Sequence, residues 1–416
     1  MLRQRRLGPQ FGWLWAAYAA STFGTWVAFD AFPLIAILVL HTGAAGVSML
    51  KAAGLAAGTL LAVPLGPWVE LRRKRPVMIA MDLIRFSALI SIPLSFALGW
   101  LGFTQLLLVA VIGAAADIAF RAASGAYLKA IVQPGDLLIA NARLESTLWT
   151  ATAIGPPLGG AAVGLLGPVI TVVIDAASDL LSALGILAIR GAGETPAARG
   201  PAPRLRAADL LEGWRCILTH PVLRPLFFNT ILVNGLIMAT APLVAVLMLG
   251  QLGFRPWQYG LAFGAPCVGG LLGARLAQPL SGRFGQPRVM LAAGALRACW
   301  SLGLAFIQPG VAGLALVIVV QFGLVACCGL FNPLLASYRL EQIDSSRVAR
   351  TLSAWSISSN LVIAAMTALW GLLAGAIGPR WAIAMAGGLM LATPLLLFRK
   401  GSLDGSVLRS PAAARE

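Results

Sequence analysis

The sequence predicts an all-α membrane protein in which twelve transmembrane helices form two pseudo-symmetric six-helix bundles. Three observations predict it. Of the 416 residues, 59% are hydrophobic and only 11% are charged, whereas soluble proteins carry about 25% charge. Apolar runs long enough to cross a hydrocarbon core, about 20 residues each, recur along the whole chain. A stretch of the first half is also echoed in the second at a fixed offset.

The runs cover residues 12–40, 45–68, 76–99, 102–125, 142–166, 168–189, 224–249, 257–279, 288–308, 311–336, 351–376 and 380–398. Backbone amides in lipid must be satisfied within the segment, and these runs are too long and too unalternating for barrel strands, so each is expected to be a helix. The run that begins at Phe11 is too long for a signal-peptide core and is read as an uncleaved first helix. The longest hydrophilic stretch, Gly191 to His220, carries Pro196, Pro201 and Pro203. It divides the chain into a first bundle (1–190), a linker with a short amphipathic helix (191–220), a second bundle (221–400) and a tail (401–416).

Net charge is +16. The basic residues do not form the single patch of a nucleic-acid binder but recur in clusters between apolar runs. With the N-terminus inside, the inner segments hold Arg3, Arg5 and Arg6, then Arg72 to Arg75 with Lys74 among them, Arg190 to Arg215, Arg283 and Arg288, and Arg399 with Lys400. The outer loops hold only Arg255 and Arg380. The positive-inside rule therefore predicts a multi-pass protein of a cytoplasmic membrane with both termini in the cytoplasm. Four of the five cysteines lie in apolar runs and none forms a CxxC pair, so neither a disulfide framework nor a metal site is indicated.

Val77-Met78-Ile79-Ala80 recurs as Val289-Met290-Leu291-Ala292, an offset of 212 that places Arg85 on Arg297 and Leu71-Arg72-Arg73 on Arg283-Phe284-Gly285. Parallel six-helix halves mark one large transporter architecture. With Gly66-Pro67-Trp68-Val69-Glu70-Leu71-Arg72-Arg73-Lys74-Arg75, with Gly155-Pro156-Pro157-Leu158-Gly159-Gly160, and with the segments Glu212-Gly213-Trp214-Arg215 and His220 to Leu226, the chain resembles the major facilitator superfamily. Within it, the likeness is to bacterial exporters of the macrolide-efflux and enterobactin-export kind. The first stretch is similar to a G-x-x-x-D-R-x-G-R-K signature, with Glu70 in place of the acid and Leu71 in place of an arginine. The resemblance implies a conformational-switch loop at Gly66, Glu70, Arg72, Arg73 and Arg75, with Arg283 as its second-half counterpart. It also implies an antiporter motif at Gly155, Pro156, Gly159 and Gly160. Small residues and prolines there would let a helix bend or approach a partner closely; an ordinary packing face is the alternative.

Ionisable groups inside a bilayer cost about 2.5–3.5 kcal/mol each and mark functional candidates. Asp30 falls ~15 Å and Lys51 ~9 Å below the outer ends of the first two spans, where they are expected to pair, directly or through water, either as a structural pair or with Asp30 exchanging a proton or a cationic substrate against Lys51. Asp175 and Asp179 share one helix face at i and i+4, and two like charges there suit a group that takes up and releases a proton. Asp117 and Arg121 are spaced to pair along the fourth span. Asp82 and Arg85 are read as a structural pair. Trp26, Phe29, Asn229, Asn234, Arg297, Gln321 and Asn360 are candidate cavity residues, the amides serving otherwise as interhelical glue. Trp13, Trp15 and Trp381 fit interfacial belts.

No GxxxxGK[ST] phosphate loop, nucleophile–base constellation or metal cluster stands out, so an enzyme is not expected. The resemblance implies a secondary transporter that exports a small molecule by proton antiport and alternating access, without a cofactor. An importer on the same fold, or a membrane receptor, are the alternatives. The expected partners are a small-molecule substrate and the lipid bilayer, not nucleic acid, and a monomer suffices for this fold.

Overall fold

A computed structural model of the chain describes residues 7–28, 30–70, 72–133, 136–189, 207–343 and 348–397. The described residues form helices α1 (Pro9–Val27), α2 (Ala31–Leu38), α3 (Ala44–Glu70), α4 (Lys74–Ala97), α5 (Phe103–Ile131), α6 (Leu137–Leu166), α7 (Pro168–Leu187), α8 (Ala207–Thr219), α9 (Leu223–Ala245), α10 (Pro256–Gly264), α11 (Cys267–Phe284), α12 (Gln286–Trp300), α13 (Val311–Glu341), α14 (Val348–Ile377) and α15 (Pro379–Ala392). Each expected apolar run falls on one or two of these. Ten of the described stretches are long and apolar enough to cross a membrane. Large apolar side chains such as Leu165, Trp100 and Val311 stand on the surface; a water-facing surface would not be dressed this way, but a lipid-facing one is.

The first run is not one uninterrupted helix as expected. Asp30 adopts a left-handed backbone at φ 57° between α1 and α2. Aspartate tolerates that region better than most residues, and Leu34 N–H still donates to the Asp30 carbonyl at 2.8 Å, restarting the helix. The prolines at 156 and 157, by contrast, lie inside a continuous α6. In a membrane bundle neighbouring groups can re-satisfy the backbone that proline frees. The start of α7 at Gly167-Pro168 and that of α15 at Gly378-Pro379 share one construction, a glycine at φ 85° or 87° and a proline in the first turn.

The chain divides into two compact units. Unit 1 comprises residues 1–42, 53–204 and 255–264; unit 2 comprises 43–52, 205–254 and 265–416. In unit 1, α4 packs on α7 and α5, while α1 lies along α6 and α7. Phe11, Leu14, Met78, Phe120, Tyr127 and Ile186 form its core. α10 also belongs to this unit and packs along α6. In unit 2, α13 lies on α11 and α12, and α14 on α9, around Phe227, Met290, Phe331, Tyr338 and Trp355. The amphipathic helix expected in the linker is α8. It is fastened to α14 by Trp214, whose indole N–H donates to Ser358 Oγ at 2.9 Å and to the Ala354 carbonyl at 3.3 Å.

Candidate functional site

The polar centre of unit 1 is built around Arg85 of α4. Its Nη1 lies 3.2 Å from Asp179 Oδ1 and its Nη2 3.9 Å from Asp175 Oδ1. The two carboxylates follow each other by one turn on α7, so both face α4. α1 supplies the hydroxyls: Ser21 donates to Asp179 at 3.2 Å and Thr25 to Asp175 at 3.1 Å. The guanidinium donates in turn to those oxygens, at 3.4 Å and 3.1 Å. Ser21 and Thr25 are themselves one turn apart, so a single face of α1 meets a single face of α7. The close approach requires Gly24, since a Cβ there would collide with Ser178.

Asp82 lies one turn before Arg85 and is fully buried. Among the described residues the Ser182 hydroxyl is the one donor beside its carboxylate, and Asp179 Oδ2 has no hydrogen-bond partner. Acidic oxygens outnumbering their donors, in a place where polar groups are costly unless bonded, are the exceptional feature of this cluster. From spacing alone Asp82 and Arg85 read as a structural pair, and Asp175 and Asp179 as a separate pair suited to proton exchange. The structure joins all four. The signal that could have found this is the polar i, i+4 pair Ser21 and Thr25 on an otherwise apolar span.

A cavity of about 60 Å³ opens onto the cluster. Its walls include Tyr18, Trp26 and Phe120 beside Ser21, Thr25 and Arg85, with Asp117 and Arg121 across from them. Asp117 and Arg121 pair along α5 at 2.7 Å, as their spacing predicts, with Arg121 exposed and Asp117 half-buried. A wider groove of about 450 Å³ lies between α1 and α6, lined by Trp15, Phe23, Arg143, Ser146, Thr147 and Thr150. Trp15, read from sequence as a belt residue, lines this groove and donates to Thr147 Oγ1 at 2.9 Å.

Asp30 accepts a hydrogen bond from Tyr259 of α10 at 2.6 Å. Lys51, its expected partner, belongs to unit 2. Phe29 lies outside the described residues, as do the surroundings of Gly66 and the side chain of Glu70. Arg72 and Arg73 are exposed. Arg75 donates to the carbonyls of Ile186 and Leu187 at 3.1 and 2.7 Å, capping the end of α7, where cations are favoured. Arg283 lies over the ring of Phe284.

The glycines of the expected antiporter motif face two helices of unit 1. A Cβ at Gly155 would come within 2.5 Å of Trp26 Cβ, one at Gly159 would strike the Val27 carbonyl, and one at Gly160 would come within 2.7 Å of the Pro256 carbonyl. α6 thus presses backbone to backbone against α1 on one side and α10 on the other, a contact that only small residues permit.

In unit 2, Arg297 is enclosed in the interior. Its Nη2 donates to Asn229 Oδ1 at 2.6 Å, and the Asn229 amide donates to the Thr393 carbonyl at 2.9 Å. The interhelical role expected of Asn229 is therefore visible; Asn234, Gln321 and Asn360 are half-buried.

A sequence profile described as the Major Facilitator Superfamily matches residues 14–310 and 226–414. The chain is 26% identical over 367 residues to the uncharacterized MFS-type transporter YvqJ of Bacillus subtilis, covering 86% of this chain and 85% of that one. It is 28% identical over 326 residues to the multidrug efflux pump Tap of Mycolicibacterium fortuitum, covering 76% and 78%. Among solved structures, a bacterial homologue of the iron transporter ferroportin in an inward-facing state matches with a TM-score of 0.74 at 16% identity, over 94% of this chain and 98% of that one. The nucleoside transporter NupG matches with a TM-score of 0.69 at 12% identity, over 93% and 98%. At these identities the structures speak for the fold alone.

Proposed function

This chain belongs to the Major Facilitator Superfamily, and we propose that, as a membrane transporter, it exports an amphipathic or cationic small molecule in exchange for protons. The observation that carries the coupling is the imbalance around Arg85. Asp175 and Asp179 pair with one guanidinium in the unit's interior, Asp82 adds a third carboxylate beside it, and no donor among the described residues reaches Asp179 Oδ2. Fully ionised, the cluster holds two negative charges in excess, which an apolar interior disfavours strongly. Uptake of protons relieves the excess and lets the acids donate to their neighbours. The charged groups that face the cluster are Arg85 and Asp82 of α4, Asp175 and Asp179 of α7 and Asp117 of α5, with the α1 hydroxyls between them.

The same guanidinium borders the small cavity, so a change in its pairing reaches whatever occupies that cavity. Aromatic walls from Tyr18, Trp26 and Phe120, with Asp117 beside them, suit a molecule with an apolar body and a positive end. Export, rather than import, is supported by the close-packed glycine motif on α6 and by the likeness to a protein named as a multidrug efflux pump. The basic clusters between spans support a cytoplasmic membrane location with both termini inside.

Expression in a drug-sensitive bacterial host tests the direction. Cells should tolerate raised concentrations of hydrophobic cations and accumulate less of a fluorescent one, with the difference removed by a protonophore. Higher accumulation in the expressing cells would establish uptake instead and remove the export reading.

A further inference from the structure

Arg297 is the counterpart of Arg85 at the offset of 212, yet its surroundings are opposite in kind. Counted from the matching Gly-Pro starts of α7 and α15, the positions of Asp175 and Asp179 are taken by Ala386 and Met390, both fully buried. The Arg297 guanidinium lies over the Phe331 ring, 3.7 Å from its centroid, and uses Nη2 on Asn229. Among the described residues its Nε and Nη1 have no acceptor and the hydroxyl of Ser301 has no partner, while the buried indole N–H of Trp300, one turn further on, meets only the Cys327 thiol of α13, a weak acceptor. The same thiol faces Arg297, so the orphaned guanidinium donors and the weakly matched indole share one neighbourhood.

A guanidinium in a protein stays charged. Removed from water, it needs a counter-charge. Unit 2 cannot provide one from its spans. The sequence contains no Asp or Glu between Glu212 and Glu341, and none between Asp344 and Asp404. The aromatic ring and the Asn229 carbonyl satisfy part of the group but carry no net charge. A water molecule could accept from the free donors but would not neutralise them either. What remains unmatched is a set of donors around one positive charge, which calls for a ligand that accepts only and carries one negative charge.

We propose that the interior of unit 2 binds a small monovalent anion at Arg297, held by the guanidinium Nε and Nη1 and by the Trp300 indole. The ligand chemistry is that of a halide or of a single carboxylate. The enclosure of Arg297 favours an ion of halide size. The inference is independent of the proton-coupling reading, which concerns unit 1.

The test uses the purified full-length protein in detergent micelles. Sodium gluconate is replaced stepwise by chloride, and in a second series by acetate, at constant ionic strength, while the thermal midpoint is followed. The wild-type midpoint should rise saturably with chloride. Arg297→Met should lose the rise and, freed of an unmatched charge, be at least as stable as wild type in gluconate alone. Trp300→Phe should need about tenfold more chloride for half its effect, the loss of one hydrogen bond to a charged ligand. A rise with acetate and not with chloride would keep the anion site and assign it to a carboxylate. Equal midpoints in all three salts, or an Arg297→Met protein that responds as wild type does, would overturn the proposal. Should Arg297→Met yield no folded protein, a Trp300→Phe protein with an unchanged chloride requirement would overturn it equally.

Discussion

Asp179 Oδ1 stands 3.2 Å from Arg85 Nη1 and accepts a hydrogen bond from Ser21 at the same length, so that one carboxylate oxygen ties α7 to α4 and α1. Arg85 is thereby the only cation matched to Asp175 and Asp179 among the described residues. Removing one member of a buried pair strands the other, at a cost of about 3–5 kcal/mol. Arg85→Met strands two acids and should fall in that range. Asp179→Asn leaves the guanidinium with Asp175 and keeps an acceptor for Ser21, so it should cost less than half as much. Thermal or denaturant unfolding of the purified variants checks the order; equal losses would mean that the charges are not matched in the way described.

The glycine contacts of α6 make a second prediction. Gly159→Ala drives a methyl into the Val27 carbonyl, whereas nothing lies within 4 Å of a Cβ at Gly164 on the same helix. Overpacking costs about 1–3 kcal/mol, so Gly159→Ala should lower stability by that amount. Gly164→Ala should be neutral or slightly stabilising, because alanine is the better helix former. Paired unfolding measurements on the two variants decide it.

A third prediction concerns Asp30, whose carboxylate accepts from Tyr259 at 2.6 Å. Tyr259→Phe should cost about 1.5–3 kcal/mol as a lost hydrogen bond to a charged group. Asp30→Asn keeps both the left-handed backbone preference and an acceptor, and should be well tolerated in folding. If Asp30 takes part in proton exchange, Asp30→Asn should nevertheless abolish gradient-driven efflux at normal expression; normal efflux would exclude that role.

His220 provides a pH dependence outside the membrane spans. Its Nδ1 accepts from the backbone N–H groups of Val222 and Leu223 at 3.3 and 3.2 Å, at the start of α9. Burial holds the imidazole below its ordinary value of 6.5, and the acceptor role requires an unprotonated Nδ1. The folded state thus binds fewer protons than the unfolded chain between its lowered value and 6.5. Stability should rise with pH through that window, be complete above 6.5 and be lost below it. His220→Ala should flatten the curve below pH 6.5 and cost about 0.5–2 kcal/mol at neutral pH, as for other helix caps. Unfolding midpoints across that range are the check.

The sequence carried the helices because length and hydropathy are local properties, and a run such as 76–99 needs no partner to be recognised. It also carried the i, i+4 pair Asp117 and Arg121, which a single helix determines. It could not carry the convergence on Arg85. Which of several buried acids meets a given arginine depends on helix rotation and neighbour choice, and Asp175 reads equally well as a repelling partner of Asp179 or as a ligand of a distant cation. The break at Asp30 was hidden for a related reason: the flanking residues are uniformly apolar, and only the backbone shows the left-handed turn. The contrast between Arg85 and Arg297 was half visible. The offset aligned them, but the missing acids of α15 gain meaning only once α7 is seen to supply Arg85.

In the proposed function, the carboxylates around Arg85 couple proton movement to transport. The most direct measurement is accumulation of a fluorescent hydrophobic cation in proteoliposomes containing protein oriented inside-out, under an imposed pH gradient, acid inside. Wild type should accumulate the cation as long as the gradient lasts. Asp82→Asn and Asp179→Asn should lose gradient-driven accumulation yet still exchange labelled for unlabelled cation. Accumulation at the wild-type rate in both variants would exclude these carboxylates from coupling.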